Sequence, residues 1–495
     1  MSTHGADSGD VGIAGWLQLH HDIKVYICSR LDKGTSGILL FALTPEASGE
    51  AERIHESGLA RKSYYFISDR KYPGGKEWTC TEALDGKACK TIFREVKRGD
   101  GYVLYRAEIS RGRRHQVRRH GALSGVPLLG DDEYGGTPFS RLCLHCGEVD
   151  WPGIKEAILV DLPGSFQMLL AGDKGLLLDA AVAYERRLDW LQTITDAFRI
   201  VHRGEFPEYD LSVDLFGKWL LITGYDENVS SEHLRDSLEE VFSFWKELYQ
   251  FRGGIIRNNR KNPHERKLFA HLVTFGEAPP VTFLVKEQGI NYEIVLNDSQ
   301  HTGLFLDQRD SRKRVGAVAE GMRMANLFSF TCSFSAVAAA AGAEVVFSVD
   351  LAGGALERGK KNFELNGLSE SGKGKFIKED VLKWLARQSR KKESDPENYK
   401  EWDLIVCDPP VFAATGKGSA FSVEKEWPLL AEQVRYILST NGIGLMANNH
   451  RGGSDKYYRS VLEEHFSKVI RFRPPFDFPE LPGQGAHVRV YWCEV

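Results

Sequence analysis

One stretch limits the folds open to this chain more than any other: A-N-L-F-S-F-T-C-S-F-S-A-V-A-A-A-A-G-A-E-V-V-F-S-V-D, from Ala325 to Asp350. The apolar run Ala325 to Phe330 predicts a buried strand. Thr331-Cys332-Ser333 are small turn residues, and an alanine-rich helical segment follows until Gly342 closes it. Val345 to Val349 predicts a second strand ending in an acid, Asp350. Strand, tight turn, helix, strand and acid make the first βαβ unit of a nucleotide-binding sheet. The turn lets a cofactor approach the backbone at a helix N-terminus, and an acid at a strand's C-terminal end can accept two hydrogen bonds from a ribose diol. Taken alone, the stretch also fits a βαβ unit that binds nothing.

The chain has 495 residues, too many for one ordinary core, and such a length implies roughly three domains. No apolar run approaches the roughly 20 residues of a membrane span, and the first residues lack the basic and apolar regions of a signal peptide. The eight cysteines are scattered. Cys143 and Cys146 form a single C-x-x-C inside L-C-L-H-C, which reads as strand, so no metal is expected. The pattern predicts a cytoplasmic protein with reduced thiols. Net charge is −4, which excludes a surface that binds polyanions everywhere. Two basic clusters stand out: Arg111, Arg113, Arg114, Arg118 and Arg119, and Arg252, Arg257, Arg260, Lys261, Arg266 and Lys267. Each fits a nucleic-acid track or a solvated face.

The first segment, 1–163, carries two motifs. S-R-L-D-K-G-T-S-G-I-L-L-F-A (Ser29 to Ala42) is a polar loop with an acid running into a strand. The second is S-R-G-R-R-H-Q-V-R-R-H, continued by G-V-P-L-L-G-D-D-E-Y-G-G and R-L-C-L-H. Together they resemble the RluA-type RNA pseudouridine synthases, which implies a mixed α+β sheet domain. Isomerising uridine requires breaking a glycosidic bond, turning the base and rejoining it through carbon, so a carboxylate is needed near the ribose. The resemblance makes that group Asp32, its cationic partner Arg118, and the residue packed on the base Tyr64. Arg113, Arg114, His115 and Gln116 are the expected RNA contacts, and the flipped nucleotide is repaid by pocket and phosphate contacts. Relatives carry more chain before the loop, with a Lys-Pro strand motif, and a histidine where Ser29 stands. The first strands of the fold are therefore expected to be missing or trimmed, which leaves open a domain that only binds RNA.

The middle segment, 164–297, predicts an amphipathic helix from Asp179 to Phe198, with Ala181, Tyr184, Leu188, Leu191 and Ile194 on its apolar side. A hairpin follows (Leu211 to Asp214, Trp219 to Thr223, turning at Phe216-Gly217-Lys218), then a helix capped by Ser230 or Ser231 and running to Tyr249. Strands near Lys267 to Thr274 and Tyr292 to Leu296 complete a small β-β-α-β-β module. H-R-G-E-F-P-E-Y-D-L-S-V-D resembles the segment before the catalytic sheet of the RlmK-type rRNA guanine-N7 methyltransferases, where Tyr209 fits either an RNA pocket or a structural turn.

The last segment, 298–495, has H-T-G-L-F-L-D-Q-R-D-S-R, the opening stretch, E-D-V-L-K-W-L and D-L-I-V-C-D-P-P-V-F in order. It resembles Rossmann-like S-adenosylmethionine (SAM) methyltransferases acting on rRNA. The resemblance implies SAM held by Phe305, Asp307, Arg309, Phe328, Thr331, Cys332, Ser333, Asp350, Asp380 and Asp408. Asp408, Pro409, Pro410 and Phe412 would grip the acceptor base, and Asn448 and Asn449 would meet RNA. Methyl transfer is an in-line displacement, so orientation supplies most of the catalysis. Carbon-5 of cytosine needs a cysteine nucleophile, but Val411-Phe412 follow D-P-P and the later strand ends A-N-N-H-R. A ring nitrogen such as guanine N7 needs none and is favoured. The whole chain is thus expected to be an α/β and α+β multidomain fusion of two RNA-modifying enzymes, with 23S rRNA the expected partner and SAM the cofactor. Relatives carry glycine where Cys332 stands. A Cβ there is expected to crowd the cofactor and weaken its binding, with Cys332→Gly restoring it.

Overall fold

The computed structural model describes residues 12–187, 189–226, 228–258, 272–297, 301–414, 420–480 and 488–495. Three sheets organise them. The first runs Ser36–Gly37, Leu144–Asp150, Arg61–Ser68, Tyr102–Ile109, Thr91–Gly99, Glu77–Cys80, with Ile158–Leu159 also on Leu144–Asp150. Its long strands are antiparallel, and its core (Phe66, Phe93, Tyr105, Trp78) is aromatic. The Asp32 loop lies at the edge, where only the two residues Ser36–Gly37 pair with Leu144–Asp150. Gly37 (φ +104) must be glycine, because a Cβ would stand 2.2 Å from the Cys146 carbonyl oxygen.

The second sheet runs Ala197–Val201, Leu211–Phe216, Trp219–Gly224, Gly253–Asn258, Val273–Gly276. The expected hairpin is present, two residues longer on its first strand and one on its second. Ser230 caps the next helix by accepting from the His233 amide, and that helix breaks at Leu238 before resuming to Tyr249. The expected helix to Phe198 stops at Arg187. After a 3-10 turn (Asp189–Thr193) the chain becomes the strand Ala197–Val201. Every residue of that strand is buried, and a short run buried on both faces carries no period that separates helix from strand. Residues 267–271 of the expected next strand lie outside the described residues, and Val273–Gly276 is strand. The last expected strand is Ile290–Ile294, paired in a separate hairpin with Phe283–Glu287.

The third sheet has the order Gly374–Lys378, Val345–Asp350, Arg323–Leu327, Trp402–Cys407, Leu438–Asn448, Arg489–Glu494, Lys468–Phe472. The first five strands are parallel, and Arg489–Glu494 is antiparallel to both its neighbours. The order reverses between Arg323–Leu327 and Trp402–Cys407, which opens the crevice where ligands bind in such sheets. This is the expected Rossmann-like arrangement. The opening strand is shorter than its apolar run: it ends at Leu327, and Phe328–Phe330 belong to the turn.

Helix Gly12–His21 packs against the helix Arg309–Val318 of the third segment. Trp16, 2% exposed, meets Phe476 at 6.3 Å, and His20 bridges Asp310 (3.1 Å) and Gln288 (3.2 Å). The start of the first segment is therefore strapped to the third. Among the described residues no helix is long and apolar enough to cross a membrane.

Candidate active sites

In the crevice of the third sheet, the turn after Arg323–Leu327 is held in an unusual shape. Phe328, Phe330 and Cys332 have φ of +56, +47 and +60, each left-handed in a side chain that costs about 1–3 kcal/mol there. The neighbours over-determine the shape. The Phe330 amide donates to Asp350 Oδ2 (2.8 Å), the Ser329 amide to the Val349 carbonyl, Thr331 Oγ1 to the Gly303 carbonyl (2.6 Å), and Asn362 Nδ2 to the Thr331 carbonyl. Asp350 Oδ1 also accepts from the Ala352 amide (2.7 Å). Its carboxylate is thus fixed at the strand end, and each oxygen retains acceptor capacity for a ribose diol. Ser333 begins the helix Ser333–Ala340. Asp380 caps the helix Val381–Ser394, accepting from the Lys383 amide (3.0 Å). Phe305, 39% exposed, stands 5.3 Å from the Phe330 ring. Backbone turn, diol acceptor and exposed aromatic suit a nucleoside, so these residues fit SAM.

Two expectations change here. Cys332 is fully buried, its thiol pushed up to about 12 by burial, and Sγ would touch a Cβ on Gly359 at 2.3 Å. The side chain is packed against the helix Gly353–Leu365, away from the crevice, so crowding of the cofactor is not its effect. What remains of the glycine argument is the left-handed backbone. Arg309 is likewise turned away from the crevice. It is 1% exposed and forms a two-bond pair with Asp477 (2.8 and 2.9 Å), with Glu287 at 3.5 Å.

Asp408 follows Trp402–Cys407 directly. Gln308 Nε2 donates to its Oδ2 (3.1 Å). The carboxyl keeps a narrow solvent contact but protein encloses the rest, and burial together with the Asp307 charge raises it to about 7. Asp307 itself is nearly buried. Pro409 is buried, Pro410 exposed, and Phe412 projects at 68% exposure on a small hairpin, its ring 6.4 Å from His450. A stacking residue is expected to be this exposed before its base arrives. The two asparagines separate: Asn449 is exposed, whereas Asn448 is wholly buried and accepts from the His450 amide. Asn448 is therefore out of reach of RNA. The sequence reading missed Gln308, although it adjoins Asp307 in the motif, and missed His450, whose Nδ1 is 2.6 Å from the Tyr458 hydroxyl.

In the first domain, Asp32 and Tyr64 are neighbours across the loop and the strand Arg61–Ser68, and burial keeps the Tyr64 phenol well above its ordinary range. Burial also raises Asp32 above the usual carboxylate range. His115 opposes that most strongly, ahead of Arg118. His115 Nε2 lies 3.9 Å from Asp32 Oδ1, its Nδ1 2.9 Å from the Tyr134 hydroxyl, and its backbone is left-handed (φ 53). Arg118 does not pair with Asp32. It forms two bonds to Asp131 (2.8 and 2.7 Å) and one to Glu133 (3.1 Å). Gln116 is buried and donates to the Lys90 carbonyl and Thr91 Oγ1, so it faces inward rather than to RNA. Arg114 is exposed and Arg113 half-buried. Arg111 is exposed too, while Arg119 is paired with Asp85. In the second cluster Arg252 is exposed, Arg257 turns inward, and Arg260, Lys261, Arg266 and Lys267 lie outside the described residues. Tyr209 donates to Ser237 Oγ (2.9 Å) and packs on the core of the second sheet, tying it to the helix Ser231–Ser237.

Comparison with known proteins agrees with this layout. Residues 211–487 match the S-adenosylmethionine-dependent methyltransferase family and residues 12–123 the RNA pseudouridylate synthases. The ribosomal RNA large subunit methyltransferase K of Neisseria meningitidis is 32% identical over 52% of this chain and 70% of its own length. A K/L enzyme from Alteromonas mediterranea is 30% identical over 59% of this chain but 40% of its own length, so the chain spans about two fifths of that relative. Among solved structures, a methyltransferase complexed with SAH aligns over 93% of this chain and 99% of its own with TM-score 0.54 at 21% identity. A SAM-dependent methyltransferase from Streptococcus mutans aligns over 93% and 100% with TM-score 0.52 at 20% identity. Those two likenesses concern the fold alone. With its sheet order and the family match over more than half its length, the chain belongs to the S-adenosylmethionine-dependent methyltransferases and carries an RNA pseudouridylate synthase domain ahead of that unit.

Proposed function

We propose that this chain modifies large-subunit ribosomal RNA at two centres, isomerising uridine at Asp32 and methylating guanine N7 at the Asp408 crevice. The division is 1–163 for the pseudouridine synthase, 164–297 for a connecting module and 298–495 for the methyltransferase. The setting is the cytoplasm, in keeping with eight free thiols. The observation that carries N7 over cytosine carbon-5 is the lack of an available thiolate. Cys407, adjacent to Asp408, is wholly buried in a core cluster with Trp384, Trp402 and Trp427, and burial pushes its thiol far up. A lone-pair nitrogen needs only positioning: Phe412 stacks on the base, Asp408 accepts its N–H edge, and SAM supplies the methyl group. Nucleoside mass spectrometry of unmodified large-subunit rRNA treated with the protein and SAM tests this. Gain of 7-methylguanosine and pseudouridine is expected, and 5-methylcytidine instead of 7-methylguanosine would overturn the acceptor.

The same reading sets a pH dependence. Asp408 is raised to about 7, so below that pH its carboxyl is protonated and carries a donor, and only above it can both oxygens accept from a base. With both substrates below saturation, methyl-transfer kcat/KM should climb through about pH 7, since that ratio reports free-enzyme ionisations. Asp307→Asn removes a like charge and should move the step to lower pH. A step that stays in place would refute the coupling. A second reading, in which the first domain only binds RNA, is favoured by one observation: Arg118 is committed to Asp131 rather than Asp32.

A further inference from the structure

In the third sheet Leu438–Asn448 lies parallel to Trp402–Cys407, with Met446 opposite Cys407. Both strands therefore deliver their next residues to the same end of the crevice: Asp408 from one, Asn449 and His450 from the other. The loop after Asn448 is held by its backbone. The buried Arg489 guanidinium donates to the His450 carbonyl (2.5 Å) and to the Gly453 carbonyl (2.6 Å). The Asn448 side chain accepts from the His450 amide (3.3 Å). The His450 ring is half-buried and stands 6.4 Å from the Phe412 ring, at 83° to it. A ring fixed there, beside the stacking residue, is placed to meet the edge of a base that lies on Phe412.

The hydrogen bonds also fix the tautomer. Tyr458 is wholly buried, and its hydroxyl has one hydrogen-bond partner among the described residues, His450 Nδ1 at 2.6 Å. A buried phenol whose proton finds no acceptor is costly, so the hydroxyl donates and Nδ1 accepts. The proton of the neutral imidazole then sits on Nε2. Nε2 has no partner among the described residues. A Cβ on Gly452 would stand 3.1 Å from it, so the glycine keeps that nitrogen open. His450 thus presents one donor and no acceptor. Guanine carries an acceptor, O6, beside N7, where adenine carries an amine, and cytosine carries an amine beside carbon-5. A lone donor suits guanine and would face an N–H on either of the others.

We propose that His450 selects the acceptor base, its Nε2–H donating to guanine O6, and that Tyr458 is the positioning residue that sets its tautomer. This rests on the guanine-N7 reading of the Asp408 crevice and names the group that enforces it. Asp408 then meets the N–H edge of the base and His450 its carbonyl.

Rates of 7-methylguanosine formation on unmodified large-subunit rRNA, with SAH affinity measured by calorimetry on the same full-chain variants, test it. His450→Ala should lower kcat/KM for the RNA by about tenfold, the scale of one hydrogen bond, and leave SAH affinity within about twofold. His450→Lys restores a donor and should stay within about threefold of the unsubstituted protein. Tyr458→Phe should cost about threefold alone and nothing further in the His450→Lys background, where no imidazole needs orienting. An unchanged rate for His450→Ala, a His450→Lys rate no better than that of His450→Ala, an equal Tyr458→Phe loss in both backgrounds, or a parallel fall in SAH affinity would overturn the assignment and leave the acceptor atom standing. Absence of 7-methylguanosine from the unsubstituted protein would overturn the guanine reading and this assignment with it.

Discussion

Replacing Asp32 with alanine should lower pseudouridine formation by on the order of 10⁴, the scale of losing a catalytic nucleophile, while methyl transfer continues at its normal rate. The two outcomes separate because the residues sit on different sheets with no shared side chain. Asp32 stands in a loop at the edge of the first sheet, and Asp408 follows the strand Trp402–Cys407 of the third. Pseudouridine and 7-methylguanosine counted in one digest give both rates. An unchanged pseudouridine yield would sink the assignment of Asp32. A second arm separates His115 from Arg118. Burial raises Asp32, so its ionised form appears only above a pH higher than an ordinary carboxylate needs. Activity should therefore fall on the acid side earlier than usual. His115 opposes that rise most strongly, so His115→Gln should move that acid limb to higher pH. Arg118→Lys should act mainly on stability, because the Arg118 fork is spent on Asp131. If the acid limb follows Arg118 instead, the contact with Asp32 forms only with RNA bound.

Much of this arrangement was legible in the sequence, and the gaps have physical causes. The Rossmann-like sheet could be read because strand, turn, helix and acid recur in order, and Asp350, Asp380 and Asp408 fall at strand ends where expected. Phe328 to Phe330 could not be placed, since an apolar run does not reveal a left-handed backbone. Nor could the strand Ala197–Val201, buried on both faces and therefore without a period. Long polar side chains were the least legible. Arg118, Arg309 and Gln116 lie in motifs that promise ligand contact, yet each is spent on a protein partner. A motif shows which residue types are near a site; which way a long side chain turns is decided by acids such as Asp131 and Asp477, whose pairing no local pattern announces. The docking of helix Gly12–His21 on the third domain was hidden for the same reason, because Trp16, His20 and their partners are hundreds of residues apart.

Asp477→Ala should be the most destabilising single change outside the cores. Asp477 is wholly buried. Its two oxygens take both bonds from Arg309, Oδ2 also accepts from the Arg199 amide (3.0 Å), and its carbonyl receives Arg187 Nη2 (3.4 Å). Arg187 in turn pairs with Glu205, also buried, and Arg309 adjoins Glu287, which holds Arg312 through two bonds of 2.7 and 2.9 Å. Arg312 finally donates to the Phe305 carbonyl (2.8 Å). This chain of ions runs from the helix Leu176–Arg187 to the segment that bears Phe305 and Asp307. Removing one partner leaves a buried charge uncompensated, which costs about 3–5 kcal/mol. In a domain of this size that is a fall in melting temperature of roughly 10 °C. SAH affinity should fall with it, because the segment that bears Phe305 and Asp307 loses its anchor. The double change Asp477→Leu with Arg309→Met removes both charges and should recover most of the melting temperature, since well-packed apolar residues often match a buried pair. It should not recover SAH affinity, which depends on how Arg312 and Glu287 are aligned by Arg309. A double variant that regains both would mean the ion chain supports folding alone, and one that regains neither would mean the loss comes from packing at Asp477 rather than from charge.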